Sequence, residues 1–237
     1  MTEIVEAPAK LTVSLAVTGV RDDGYHLIDA EMVTLDIGDT LEIGPGDGLE
    51  IVDEAGRGLD VPDGEDNLVR RALRAVDRTA HVRLTKRIPA GAGLGGGSAD
   101  AAAVLRWAGC DDLELAASIG ADVAFCLVGG RARVGGIGEV VEPLEPTSRT
   151  FTLVIPPVAC PTPAVYAAWD RLGGPRGEHG NDLEPAALVV QPTLVRWRDE
   201  LEAATGIRPT LAGSGSSWFV PGAFDGPGRL VTRTDRP

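Results

Sequence analysis

The chain has 237 residues, with 35 acidic and 22 basic side chains, a formal charge of −13, 43% hydrophobic residues, 31 glycines and 17 prolines. That length and apolar content allow a core without disulfides or metals, and they exclude a collagen-like or disordered chain. So negative a field opposes nucleic-acid phosphates, and no apolar run approaches the ~18 residues of a membrane span, so neither nucleic acid nor a membrane is an expected partner.

Taken in chain order, Leu11, Val13, Leu15 and Val17 alternate with smaller or polar residues, predicting a half-buried strand over 10–18 that opens at Lys10. A polar turn, Arg21-Asp22-Asp23-Gly24-Tyr25-His26, follows, and short strands are expected at 32–37 and 40–43. Leu68, Val69, Ala72, Leu73 and Val76 recur at helical spacing behind Asn67, a suitable cap. In the strand expected at 82–88, Lys86 shares the parity of Val82, Leu84 and Ile88; a stem that snorkels would explain it.

The run Pro89-Ala90-Gly91-Ala92-Gly93-Leu94-Gly95-Gly96-Gly97-Ser98-Ala99 then feeds an alanine-rich helix. Residues 113–119 read as a helix stopped by Gly120, and Asp122 is a candidate cap for a short helix that runs through Leu127 to Gly129-Gly130. Two strands follow. The polar, proline-flanked stretch 144–150 suggests a boundary between units 1–148 and 149–237. Beyond it we expect a strand at 151–155, helices near 163–172, 182–190 and 193–204, and strands flanking Gly213-Ser214-Gly215-Ser216-Ser217. There is no internal repeat.

A glycine-rich loop opening a helix offers unhindered N–H groups and the positive end of a helix dipole, which suits phosphate. No Gly-Lys-Ser/Thr closes this one, so it is not a Walker A loop. Gly91, Gly93 and Gly96 satisfy the dinucleotide fingerprint, but the chain passes from Trp107 to Asp111-Asp112 without the second strand that fold requires. A purely structural loop remains open, as do a hairpin turn at 213–217, a capping role for Asp122 and a surface role for Lys10. Only Lys10 and Lys86 are lysines in an otherwise arginine-using chain, which marks two candidate sites or mere coding bias. Cys110, Cys126 and Cys160 lack metal-ligand spacing and cannot all pair; with no secretory leader in view, a reducing, cytoplasmic setting is expected.

Together, Pro8-Ala9-Lys10, Asp23-Gly24-Tyr25-His26, the run from Ile88 to Asp100, Gly120-Ala121-Asp122-Val123 and Ala212-Gly213-Ser214-Gly215-Ser216 resemble the ordered motifs of the GHMP kinase superfamily. Asn67-Leu68-Val69 and Asn181-Asp182-Leu183-Glu184 fit the same pattern. Within the superfamily the chain is most similar to kinases of the methylerythritol route to isoprenoids and terpenoids, whose substrate is a cytidine diphosphate methylerythritol. The resemblance implies an α+β fold of two domains, the first ribosomal-protein-S5-like and the second ferredoxin-like, with the active site in the cleft between them. It implies Lys10 and Asp122 as catalytic pair, and Pro89 to Ala99 with Asn67 and Lys86 at ATP. Thr12, Tyr25, His26, Tyr166, Gly213 and Ser214 would lie at the substrate, with Tyr25 and Tyr166 sandwiching the cytosine. The implied assembly is a monomer or homodimer.

Two residues depart from the family pattern: Thr12 stands where relatives usually have Asn, and Ala99 where they usually have a second Ser. Contact with Mg2+ then rests on Ser98, water and the phosphates. A kinase for another small alcohol, or a homologue with impaired catalysis, are the alternatives. The polyanionic substrates require the acidic field to be overridden locally, by loop amides, Mg2+, Lys10 and Lys86.

Overall fold

The computed structural model describes residues 1–54, 56 and 63–235. Strand β1 (Glu3–Val20) and strand β2 (His26–Gly44) form a long antiparallel pair. The two short strands expected at 32–37 and 40–43 are thus one. Gly38-Asp39 does not end the strand. Gly38 instead permits a close crossing, since a Cβ there would lie 2.4 Å from the Ala7 carbonyl oxygen. The register with β1 shifts beside it, between Pro8 and Lys10, so that β2 bulges at residues 35–37.

Strand β3 (Gly48–Asp53) has no fully buried residue, which is why no apolar period announced it, and it pairs parallel with β4 (His81–Lys86). Helix α1 (Leu68–Ala75) lies between them in sequence, and Asn67 Oδ1 accepts from the Val69 amide at 2.8 Å as its cap. Then come α2 (Gly96–Trp107), α3 (Leu113–Ile119), α4 (Val123–Val128), β5 (Arg131–Gly136) and β6 (Val140–Pro143). The sheet runs β3-β4-β2-β5-β6, with β1 along the other edge of β2. Ala101, Ala102 and Ala103 are fully buried, their small side chains letting α2 lie close to the sheet, where Leu41, Val82, Leu84 and Phe125 complete the core.

The second layer holds β7 (Thr150–Val154), α5 (Thr162–Arg171), α6 (Glu184–Val190), α7 (Leu194–Thr205), β8 (Thr210–Leu211), β9 (Trp218–Pro221) and β10 (Arg229–Arg233). Its antiparallel sheet has the order β10-β7-β9-β8. Helix α6 starts two residues later than expected, because Asn181 and Asp182 serve as ties. Leu15 forms a β-bridge with Asn181, and Asp182 Oδ2 accepts from the Val17 amide at 2.9 Å.

The bulge of β2 makes the second connection. Leu35 bridges Thr234, and the Asp235 amide donates to the Thr34 carbonyl at 2.9 Å. Between the sheets lies a separate apolar cluster in which Leu11, Val33 and Leu35 meet Phe151, Leu153 and Phe219. The α+β architecture matches expectation. All three cysteines are free, and among the described residues no helix is long and apolar enough to cross a membrane.

Candidate active site

The glycine run is pinned by its few side chains and left open along its backbone. Ala92 and Leu94 insert into the inter-sheet cluster, while the Lys10 amide donates to the Leu94 carbonyl at 3.0 Å and the Ser217 amide to the Ala92 carbonyl at 3.0 Å. Gly93 and Gly95 both have φ in the left-handed range, +78° and +67°. A Cβ on Gly93 would lie 2.4 Å from the Ala212 carbonyl oxygen, and one on Gly95 would lie 2.7 Å from Lys10 Cγ. The loop is therefore glycine-rich because two other segments press against it.

Gly95 opens α2 without a side-chain cap. Among the described residues, the amides of Gly96, Gly97 and Ser98 have no recorded acceptor, so an anion can be held by the helix head. Leu68 of α1 sits over Gly97, which brings the Asn67 cap close to that head. Pro89, Ala92, Leu94 and Ala99 are buried, and the Ala99 amide is consumed by the Gly95 carbonyl at 2.8 Å. Ala99 thus belongs to the core and has neither side chain nor amide to offer a phosphate, a correction to the sequence expectation.

Lys10 leaves β1 beside this loop, its stem against Gly95, and is 5% exposed. Its Nζ lies 3.0 Å from Asp122 Oδ2 and donates to Thr12 Oγ1 at 3.0 Å. Asp122 stands at the start of α4 yet its side chain makes no capping bond, so the carboxylate is committed to the amine and not to the helix. Thr12 is 1% exposed and braces the amine from behind, so it presents no open face to a substrate. On the remaining side Gly213 comes so near that a Cβ would be 3.7 Å from Lys10 Nζ. Its loop is held by Asn181, whose Nδ2 donates to the Leu211 and Gly213 carbonyls at 2.8 and 2.7 Å. Ser214 Oγ pairs with Thr162 Oγ1 at 2.8 Å.

The aromatic arrangement differs from the expected sandwich. The Asp23-Gly24 turn throws Tyr25 outward, 58% exposed and without a ring partner among the described residues, whereas the next position points inward. The His26 ring therefore lies on Tyr166, centroids 4.6 Å apart, with Trp169 edge-on at 5.5 Å and Asp170 Oδ1 2.8 Å from Nε2. Burial, augmented by the Asp122 carboxylate, pushes the Tyr166 hydroxyl up to about 12, so α5 brings this ring within electrostatic reach of the Lys10–Asp122 pair.

Lys86 is also placed otherwise than expected. It lies beneath the loop, ion-paired with Asp39 and with Asp100 Oδ2. Burial works against its charge, but the two carboxylates prevail and raise its pKa; burial pushes Asp100 up to about 7, against the pull of Lys86. The sequence offered a cue for Asp39 and Asp100 only in their being acids within otherwise apolar strand and alanine-rich helix. Asp170, Trp169 and Thr162 carried no sequence cue. Among the described residues no cluster of three or more His, Cys, Asp or Glu is arranged for a metal ion.

The GHMP kinases N terminal domain family matches residues 67–130, the segment from the α1 cap through the glycine loop to the end of α4. A 4-diphosphocytidyl-2-C-methyl-D-erythritol kinase of Paramagnetospirillum magneticum is 38% identical over 91% of this chain and 87% of its own length. The crystal structure of a 4-(cytidine 5'-diphospho)-2C-methyl-D-erythritol kinase superposes with a TM-score of 0.75 at 31% identity, covering 100% of both chains. A homoserine kinase from Cytophaga hutchinsonii shares the fold at 19% identity and a TM-score of 0.64, covering 99% of this chain and 94% of its own. An uncapped glycine helix head beside an amine–carboxylate pair, in a chain this similar along its whole length, has one reading: the chain belongs to the 4-diphosphocytidyl-2-C-methyl-D-erythritol kinase family of GHMP kinases.

Proposed function

We propose that this chain transfers the γ-phosphoryl group of ATP to the 2-hydroxyl of 4-diphosphocytidyl-2-C-methyl-D-erythritol, residues 1–148 seating the nucleotide and 149–237 helping to seat the alcohol. The observation that carries this reading is the 3.0 Å approach of Lys10 Nζ to Asp122 Oδ2 beside an uncapped helix head. The amides of Gly96, Gly97 and Ser98 receive phosphate oxygens, and the backbone from Ala90 to Gly95 shapes the seat. Mg2+, when bound with ATP, neutralises charge on the phosphates; Ser98 is the protein hydroxyl suited to it, the remaining positions falling to water and phosphate oxygens.

Asp122 orients the acceptor hydroxyl. For a water-like hydroxyl near ~15.7 and an ordinary carboxylate near ~3.9, proton transfer before attack is uphill by about 12 pK units, roughly 16 kcal/mol. A kinase turning over at ~10 per second has a whole barrier of about that size, so the proton moves to Asp122 late, as the phosphoryl group arrives. Lys10 offsets charge on the transferring group, and Thr12 keeps its amine aimed. Gly213 and Ser214 line the substrate side. Tyr25, His26 and Tyr166 receive the cytosine, for which His26 has to yield a face of Tyr166.

The protein works in the cytoplasm as a monomer or homodimer. A coupled ADP-release assay with Mg2+ and ATP tests the activity: turnover is expected with the cytidylyl substrate and not with mevalonate or homoserine. Turnover with either of the latter alone, or ATP binding without transfer to any alcohol, would overturn it.

A further inference from the structure

The foot of the glycine loop is a closed cluster of charge. Asp39 of β2, Lys86 of β4 and Asp100 of α2 are 0%, 3% and 2% exposed. Asp39 Oδ1 accepts from the amides of Arg87 and Ile88 at 2.5 and 2.8 Å, the two residues that lead from β4 into the loop. Its other oxygen is ion-paired with Lys86 Nζ, which lies 2.7 Å from Asp100 Oδ2. Asp100 Oδ1 is buried with no hydrogen-bond partner among the described residues. Directly above the amine is Gly96, where a Cβ would be 3.1 Å from Nζ.

Two carboxylates here share one ammonium. Two of the three N–H donors of Lys86 are committed to them, and its head is nearly closed to solvent. Were the amine to turn up toward a phosphate, it would leave two buried like charges facing each other beneath the helix head, an arrangement that a low dielectric makes strongly unfavourable. The bonds instead run through the amine as a brace: from the residues entering the loop, through Asp39 and Lys86, to the first turn of α2.

We propose that Lys86 is a positioning residue and not a ligand of the nucleotide: by neutralising Asp39 and Asp100 it holds the strand-to-loop turn and the head of α2 in the arrangement that presents their amides. This rests on the reading of the loop as the phosphate seat. A direct ligand cannot be replaced by removing a carboxylate, whereas a neutralising group can.

The test compares MgATP binding and steady-state kinetics of wild type, Lys86→Met and Lys86→Met/Asp100→Asn at about pH 8.5, above the value of about 7 to which burial pushes Asp100 in the wild type. For Lys86→Met the expected ATP Kd and KM rise about tenfold or more, with the KM of the cytidylyl alcohol little changed. Asparagine keeps the shape of Asp100 without its charge, so the double variant returns ATP affinity to within about threefold of wild type. A double variant about tenfold or more weaker than wild type means that the amine itself reaches the phosphates, and overturns the proposal. So does a Lys86→Met protein that binds ATP as wild type does. If Lys86→Met fails to fold, the double variant decides alone by the same thresholds. Wild-type protein that binds no MgATP would instead remove the phosphate-seat reading, and this proposal with it.

Discussion

The carboxylate of Asp122 meets Lys10 Nζ at 3.0 Å and caps nothing, although it stands at the N-cap position of α4. Helix stability and chemistry are therefore separable at this residue. For Asp122→Asn we expect kcat to fall by about 10³-fold, ATP affinity to hold within about threefold and the melting temperature to move by only a few degrees. Steady-state kinetics, an ATP titration and a thermal melt check the three parts; an Asp122→Asn enzyme with wild-type kcat removes the assigned role.

Gly95 and Gly93 are close to different neighbours and should fail differently. In Gly95→Ala the new methyl meets the Lys10 stem, 2.7 Å from Cγ, so the amine is displaced and kcat falls by more than about tenfold while the protein stays folded. In Gly93→Ala it meets the rigid Ala212 carbonyl at 2.4 Å, and the main loss is stability, about 1–3 kcal/mol by urea denaturation.

On the proposed reading Tyr166 stacks on the cytosine once His26 yields its face. Tyr166→Ala should raise the KM of the cytidylyl substrate about tenfold with the KM of ATP nearly unchanged, and Tyr166→Phe should restore most of the loss. Equal rises in both KM values count against a stacking role.

Asn181 is fully engaged: two donors to the Leu211 and Gly213 carbonyls and an acceptor for the Leu183 amide at 2.9 Å. Asn181→Ala leaves buried carbonyls without partners, costing about 1–3 kcal/mol. Because Gly213 lies against Lys10, kcat/KM should fall with it, which chemical denaturation and kinetics of the still-folded fraction measure together.

Burial pushes the thiols of Cys126 and Cys160 up to about 12 and about 11. A raised thiol pKa depletes the thiolate below it: at pH 8 only ~10⁻⁴ of Cys126 and ~10⁻³ of Cys160 is the reactive form, rising tenfold per pH unit. Iodoacetamide followed by mass spectrometry should therefore modify neither in the native protein and both after unfolding. Rapid native labelling of Cys126 at pH 8 would contradict its place on the buried face of α4.

Much of this was legible in the sequence because local chemistry announces it. Asn67 caps α1, alternation gives β1, and a glycine run entering a helix reads as an anion seat wherever it occurs. What stayed hidden depends on neighbours distant in the chain. Asp39 looks like a strand-breaking acid until Lys86 and the Arg87 and Ile88 amides are beside it, and Lys86 looks like a phosphate ligand until Asp39 and Asp100 are. Strand β3 lacked a buried face, so periodicity had nothing to detect. Whether Tyr25 or His26 would lie on Tyr166 turned on one residue of register after a turn.

The bridges Leu15–Asn181 and Leu35–Thr234 fasten the first sheet to the second layer at separate points, with Leu11, Val33, Phe151 and Leu153 sealed between the sheets. Swinging the halves apart would tear both main-chain seams and wet that interior, so the cleft does not work as a jaw. Traffic of substrate and product then falls to its rim, where the Tyr25 turn is exposed to solvent.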